Sequence, residues 1–435
     1  MQAANLAPVL PRDATVHPVA GGALLVSRDY ALFCRVPTEQ VVEIRKLIDG
    51  LLPFEGLAEP MQNALREHGF TGGPRAAAPA SHSVQLQLTN DCNLHCAYCC
   101  TDSGAPRPNE VTLAELKRAV ADARATLGPS THFGMLGGEP FLVPWAPELA
   151  ASILEQGSTL TIFSNGVPLT DPTLCERVAS LVRSGAELRI SLAGVTAALC
   201  DGLSGAVRFE RALLAINSLA AAGAIAKVDI MVMPQHIDAL AEHLPKLRKR
   251  LPREVPFSFG ILYRGGRERG EHLFHSRREL EAALDRIVFE AGETIRVHPK
   301  KPLTNRREGC SCALGHHLHI RSDGRLYSCF KMDEAVGDLR RDDFAEVAKV
   351  AASRARPASS LSVCAECDLN TLCGGGCRSE NHLQTGNADR PLCGEWRKQV
   401  CYELLAEDMP GVLEWPVEHL IAEAKFRGIE PIPIL

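Results

Sequence analysis

Apolar and polar positions change their period along this chain. Over residues 16–36 they form short β-prone runs, ATVHPVA, ALLVS and ALFCRV, punctuated by Gly21-Gly22 and by Arg28-Asp29. Such runs between turn residues predict three strands joined as hairpins. Helical spacing follows in VVEIRKLIDGLL, with Thr38 placed to cap it, and in PMQNALREHGF. GGPRAAAPASHS, residues 72–83, reads as a linker. From Val84 the pattern becomes strand, turn, helix, repeated. VQLQL, THFGML, TLTIFSNG, ELRISLAG, KVDIMVM and PFSFGIL predict strands, and LAELKRAVADARATL, APELAASILEQ, TLCERVASLVRSG, ERALLAINSLAAAG and DALAEHLPKLRKRL the helices between them. Alternating β and α elements imply a parallel sheet, here a partial (β/α)6 TIM-like barrel in the α/β class, with sites expected at the carboxyl ends of its strands. Past about Pro302 periodicity fades, and cysteine and glycine take over. The expected organisation is an N-terminal domain over 1–75, a linker over 76–83, the barrel over 84–301 and a cysteine-rich C-terminal domain over 302–435.

Composition narrows the function classes. With 435 residues, 46% of them hydrophobic, the chain has material for two or three cores. A net charge of −5 gives no basic footprint for nucleic acid, and no apolar run approaches the 18 or so residues that span a bilayer. MQAANLAPVLPRDATVHPVA lacks the features of a secretory signal, so the cytoplasm is the expected compartment. Sixteen cysteines at short spacings in a reducing compartment predict metal ligands rather than disulfides.

Cys92, Cys96 and Cys99 are spaced CxxxCxxC within CNLHCAYCC, on the loop after the first barrel strand. Three thiolates on a 4Fe-4S cluster leave one iron open, following the logic by which catalytic metal sites keep a free position. Zinc is the alternative, with Cys100 or His95 as a fourth ligand. Cys100 breaks the spacing and is expected to point away as a small apolar residue. CNLHCAYC, with Tyr98 before its last cysteine, resembles the signature of the radical S-adenosylmethionine (radical SAM) superfamily. The resemblance implies a reduced cluster that cleaves SAM, bound on the open iron, to methionine and a 5′-deoxyadenosyl radical, which takes hydrogen from a substrate. Gly137, Gly138, Glu139 and Pro140 resemble the family's GGEP motif, whose backbone and glutamate hold the SAM amino group. Ser164 and Asn165, before Gly166, and Ser191 resemble positions that meet the SAM ribose and carboxylate. The fifth-strand adenine contact has no clear counterpart in KVDIMVM.

Cys364, Cys367, Cys373 and Cys377 read CxxCx5CxxxC, with Cys393 beyond and Cys310, Cys312 and Cys329 upstream. Together they resemble a SPASM domain, which carries auxiliary iron-sulfur clusters. The resemblance implies one auxiliary cluster on Cys364, Cys367, Cys373 and Cys393, and a second on Cys329, Cys377 and the upstream pair. Cys310 and Cys312 stand closer than the family's usual gap, so that one of them need not be a ligand. Cys34, Cys175, Cys200 and Cys401 are expected as buried structural thiols. GHHLHI puts His317 and His319 on one strand face, as core or solvated histidines or as a metal or proton site. Arg264, Arg267 and Arg269 follow the last barrel strand, either to grip substrate carboxylates or as a charged loop.

The N-terminal three strands and two helices resemble a PqqD-like, winged-helix-like peptide-recognition domain. Sulfatase maturases carry a catalytic aspartate after the cysteine equivalent to Cys329, and Phe330 stands here instead. The resemblances together imply a maturase of a ribosomally made precursor peptide with a leader sequence, forming a thioether or carbon-carbon crosslink, with an electron donor such as flavodoxin or ferredoxin. The alternatives are a peptide epimerase, with Cys100 or Cys310 as hydrogen donor, a tailoring enzyme for a small molecule or a quinone or haem cofactor, and a non-catalytic zinc regulator. No catalytic base is assigned.

Overall fold

The computed structural model describes residues 10–72, 82–291 and 314–431. Its first three strands, β1 (Ala14–Val19), β2 (Gly22–Ser27) and β3 (Leu32–Pro37), form an antiparallel sheet in that order. Gly22 makes the first hairpin possible, because a Cβ there would lie 2.2 Å from the Val36 carbonyl oxygen. Helices α1 (Val41–Ile48) and α2 (Glu59–Glu67) follow. Thr38 does not cap α1: residues 38–40 form a separate 3-10 turn, and Gln40 stands at the cap with no side-chain bond.

The central strand β2 is buried on both faces. Leu25 packs with Ile44 and Leu65 of the two helices, whereas Leu24 and Val26 join Trp396, Val400 and Leu404 from the far end of the sequence. A strand covered on both sides needs an unbroken apolar run, as ALLVS is.

Six parallel strands then alternate with helices. They are β4 (Ser83–Gln87), β5 (His132–Leu136), β6 (Leu160–Ser164), β7 (Glu187–Leu192), β8 (Lys227–Met231) and β9 (Phe257–Gly260), hydrogen-bonded in sequence order. Between and after them run α3 (Leu113–Leu127), α4 (Ala146–Glu155), α5 (Pro172–Arg183), α6 (Ala197–Ser204), α7 (Phe209–Ala221), α8 (Ile237–Arg248) and α9 (Arg277–Ala291). The six-strand partial barrel is as the sequence predicts, and the short α6 is an addition to it. One apolar core joins this sheet to its helices.

The sheet does not end at β4. Strand β10 (His317–Ile320) pairs parallel with β4, and β11 (Arg325–Tyr327) and β12 (Gly337–Asp338) extend it antiparallel, making nine strands in the order β12-β11-β10-β4-β5-β6-β7-β8-β9. Helix α10 (Phe344–Ser353) rests on α3. Arg340 grips Glu115, the capping-box residue of α3, and holds its carboxyl down at about 2. The remaining helices are α11 (Asn370–Cys373), α12 (Arg378–Thr385), α13 (Glu395–Ala406) and α14 (Val417–Phe426). Among the described residues, no helix is long and apolar enough to cross a membrane.

One face of the N-terminal sheet lies on α13. Gln399 donates to the Pro18 carbonyl at 3.2 Å, Ala20 N donates to Glu403 at 2.9 Å, and His17 stacks on Tyr402 with ring centres 4.2 Å apart. Replacing Leu24 by Ala, at a site with no exposure, is expected to cost about 2–5 kcal/mol of stability. Hydrogen exchange is expected to quicken in β2 and in α13 together, because the two share that core.

Candidate metal and cofactor site

The loop after β4 carries Cys92, Cys96 and Cys99 at the carboxyl end of the parallel strands. Its path is set by main-chain bonds. Cys92 N donates to the Gly104 carbonyl at 2.8 Å, His95 N to Ser204 and Ala97 N to Leu203, both at 3.0 Å. Tyr98 is half-buried against the barrel core and bonds Cys96. Burial pushes the Cys92 thiol up to about 12 and raises that of Cys96, so thiolate at these positions depends on a metal centre. Among the described residues, no three cysteine, histidine or carboxylate side chains converge on one point as a single metal ion requires. A four-iron cluster instead takes each thiolate on a separate iron.

A second loop, after β9, clamps the first. Arg267 N donates to the Cys99 carbonyl at 2.9 Å, and its guanidinium donates to the carbonyls of Cys96 and Ser103 and to Asp102, each at 2.8 Å. Gly266, at φ +54, comes so close that a Cβ would stand 2.4 Å from the Cys99 oxygen. Arg267 is therefore a staple of the cysteine loop and not a grip on substrate. Arg264 and Arg269 remain exposed beside it.

The glycines of Gly137-Gly138-Glu139-Pro140 serve the same closeness. Gly138 N donates to the Thr89 carbonyl and Glu139 N to that of Asp91, both at 2.8 Å, and a Cβ on Gly138 would meet the Asp91 oxygen at 2.1 Å. Glu139 is fully buried, and its carboxylate accepts from Phe141 N at 3.1 Å, Ser164 Oγ at 2.9 Å and Asn165 N at 2.7 Å. It thus ties the end of β5 to the end of β6, with burial raising its carboxyl to about 7. Asn165 carries the tie to the cysteine loop, donating to Asn93 at 2.8 Å. Ser191, at the end of β7, is half-buried, and its carbonyl accepts from Arg208 at 2.9 Å.

Arg208 is the site residue that sequence reasoning missed. It is 1% exposed, bonds Ser204 and Ser191, and leaves one terminal nitrogen buried without a partner. Its charge lies beside Cys96 and Tyr98. A buried cation with an orphan donor next to ligand cysteines fits an anionic group at this place. Its only signal in the sequence is a lone arginine ahead of an apolar helix.

In the C-terminal region Cys364, Cys367, Cys373 and Cys393 line one apolar cavity with Leu369 and Arg397. These are the four residues expected to hold one auxiliary cluster. Burial pushes Cys364 and Cys367 up to about 12. Arg397 is buried against Cys373 and Cys393, with a bond to the Leu392 carbonyl at 3.0 Å. Asp368, next to Cys367, accepts from Tyr402 at 2.6 Å and pairs with His17 of β1. Cys329 and Cys377 are half-buried, and Cys310 and Cys312 lie outside the described residues. Cys34, Cys175, Cys200 and Cys401 are buried as expected, Cys401 in the wall of this cavity. Cys100 is exposed as a residue, yet its thiol is desolvated and pushed up to about 11, and the main chain of Gly265 packs against its backbone. His317 and His319 share a face of β10, and burial lowers them to about 4 and about 3, the mark of neutral core histidines.

A partial barrel with three thiols on the loop beyond its first strand, and a second cavity lined by four cysteines, defines an α/β protein with two separate cysteine groups. The radical SAM superfamily model matches residues 86–246, the stretch that holds Cys92, Cys96 and Cys99. The chain is 30% identical over 157 residues to mycofactocin maturase MftC of Mycobacterium tuberculosis (strain CDC 1551 / Oshkosh), a match covering 36% of this chain and 39% of that protein. It thus spans about two fifths of that relative's length. It is 26% identical over 353 residues to PqqA peptide cyclase of Xanthomonas oryzae pv. oryzae (strain MAFF 311018), covering 73% of this chain and 88% of that one. The fold is shared with Streptococcus suis SuiB bound to precursor peptide SuiA, with TM-score 0.54, 14% identity and coverage of 88% and 98%. It is shared also with anSMEcpe bound to AdoMet and a peptide, with TM-score 0.54, 16% identity and coverage of 79% and 99%.

Glu139 gives the metal-free protein a pH dependence. Its folded pKa of about 7 lies above the ordinary carboxylate value of about 4.3, so the native state binds the proton more tightly. Stability is expected to fall as pH rises from the ordinary value through the folded one. Denaturant midpoints across that window check it, and Glu139→Gln is expected to flatten the profile.

Proposed function

We propose that the chain is a radical SAM maturase that takes hydrogen from a ribosomally made precursor peptide to form a thioether or carbon-carbon crosslink. The observation that carries this reading is the pairing, in one chain, of the three-cysteine loop with a separate four-cysteine cavity. Peptide chemistry is supported by the names of the relatives, a peptide cyclase and a maturase, and by a fold neighbour solved with its precursor peptide. When bound, the cluster and SAM supply one-electron cleavage of SAM and hydrogen abstraction from an unactivated carbon.

The chain's own residues hold and orient these groups. Cys92, Cys96 and Cys99 ligate three irons, and Arg267 keeps their loop in place. The carbonyls of Gly137 and Gly138, which have no main-chain partner among the described residues, are offered to the SAM ammonium, and the orphan nitrogen of Arg208 to its carboxylate. Ser164, Asn165 and Ser191, at the carboxyl ends of β6 and β7, would face the SAM ribose and carboxylate. Cys364, Cys367, Cys373 and Cys393 hold one auxiliary cluster, and Cys329, Cys377 and the upstream pair Cys310 and Cys312 a second. Clusters held there would supply an acceptor for the electron released when the product radical closes to a neutral bond. The edge strands β1 and β3 offer main-chain groups to which a leader peptide adds as a further strand. A flavodoxin or ferredoxin in the cytoplasm supplies the electron. Exposed Cys100, next to a ligand cysteine, favours epimerisation as the second reading, with that thiol returning hydrogen to the peptide.

Anaerobically reconstituted protein is expected to contain iron and sulfide and to release 5′-deoxyadenosine from SAM. Replacing Cys92, Cys96 and Cys99 by Ala abolishes release, whereas replacing the four cavity cysteines removes about a third of the iron and leaves SAM cleavage. Zinc in place of iron would refute the proposal. A loss of two hydrogens from the peptide marks crosslinking, and unchanged mass with an inverted centre marks epimerisation.

A further inference from the structure

Two exposed aromatic rings and one lysine stand together where the barrel loops meet the C-terminal cysteine block. Tyr263 follows β9 and is 44% exposed, and Phe330 follows Cys329 and is 40% exposed. Their rings are edge-on at 6.3 Å. The Lys331 ammonium lies 3.8 Å from the centre of the Tyr263 ring and 5.9 Å from that of Phe330. Both sides of the trio are anchored. Gly265, two residues after Tyr263, approaches the Cys100 carbonyl so that a Cβ would lie 3.2 Å from it, and Ser379 Oγ donates to the Lys331 carbonyl at 3.1 Å. Cys377 lies two residues before Ser379. The trio therefore spans the space between the radical-site loop and the cysteines of the C-terminal block.

Resting on the maturase reading above, we infer that Lys331, framed by Tyr263 and Phe330, binds a carboxylate side chain of the substrate at or beside the residue that loses hydrogen. Among the described residues, no carboxylate comes within ion-pair distance of this ammonium. Glu380 feels its charge, yet burial raises the Glu380 carboxyl. A lysine placed for packing alone would shield the rings it covers, whereas here both rings stay open to solvent. Rings that flank a cation leave one side of it free for an anion, and they cover the apolar stem of the acidic side chain. On the maturase reading, a peptide reaching from the three-cysteine loop to the C-terminal cysteines would cross this space. A carboxylate brought toward anionic clusters also requires a local cation to be tolerated.

The test uses the full, cluster-loaded chain with SAM and two fluorescein-labelled peptides, Gly-Ala-Glu-Ala-Gly and its Gln counterpart, read by anisotropy at low salt. The Glu peptide is expected to bind about five- to tenfold more tightly. Lys331→Met should bring that ratio to one, Lys331→Arg should restore it, and Lys331→Glu should favour a Lys-bearing peptide. Iron content shows that each variant is folded and loaded. Equal binding of the two peptides by the wild-type chain, or a preference that survives Lys331→Met, would overturn the inference. Loss of iron binding or of SAM cleavage in the wild-type chain would instead overturn the maturase reading.

Discussion

Main-chain contact around the cysteine loop is the constraint on which the rest of the structure depends. Residues 89–104 touch the turn after β5 through Gly138 and the turn after β9 through Gly266, in each case closer than a Cβ permits. The loop is thus held from the first, second and last parallel strands at once. This explains why Arg267 is spent internally, since its four donations replace water around carbonyls that a tight turn leaves open. It also explains the buried Glu139, whose carboxylate joins two strand ends that main-chain bonds alone do not join.

Each cysteine group has its own buried cation, Arg208 beside Cys96 and Arg397 beside Cys373 and Cys393. Burying a guanidinium is costly unless an anion accompanies it. The two arginines therefore mark the places where the chain prepares for negative charge, and thiolates on iron would supply it.

The N-terminal sheet is built into the same framework. Its second strand fills the core against α13, and His17 of β1 reaches Asp368, the neighbour of Cys367. The N-terminal sheet and the four-cysteine cavity consequently share one packed interface. The C-terminal region is likewise continuous with the barrel, since β10 extends the sheet beyond β4.

Local pattern sufficed where one element's face or one loop's chemistry decided the outcome. The β/α alternation from Val84, the three-cysteine spacing, and the grouping of Cys364, Cys367, Cys373 and Cys393 were legible because period and ligand spacing are properties of neighbouring residues. Thr38 misled because the chain inserts a 3-10 turn before α1, and Cys100 because its surroundings come from a loop over 160 residues away. The three donors that hold the Glu139 carboxylate, Phe141 N, Ser164 Oγ and Asn165 N, come together only in the fold. The burial of Arg208, the internal bonds of Arg267 and the meeting of Lys331 with Tyr263 carry no local signature. What the sequence by itself determined is the order of elements and which cysteines fall into groups. Tertiary structure alone decided which charges are buried, which glycines mark chain crossings and how the N-terminal sheet meets the cysteine block, because these depend on contacts between segments hundreds of residues apart.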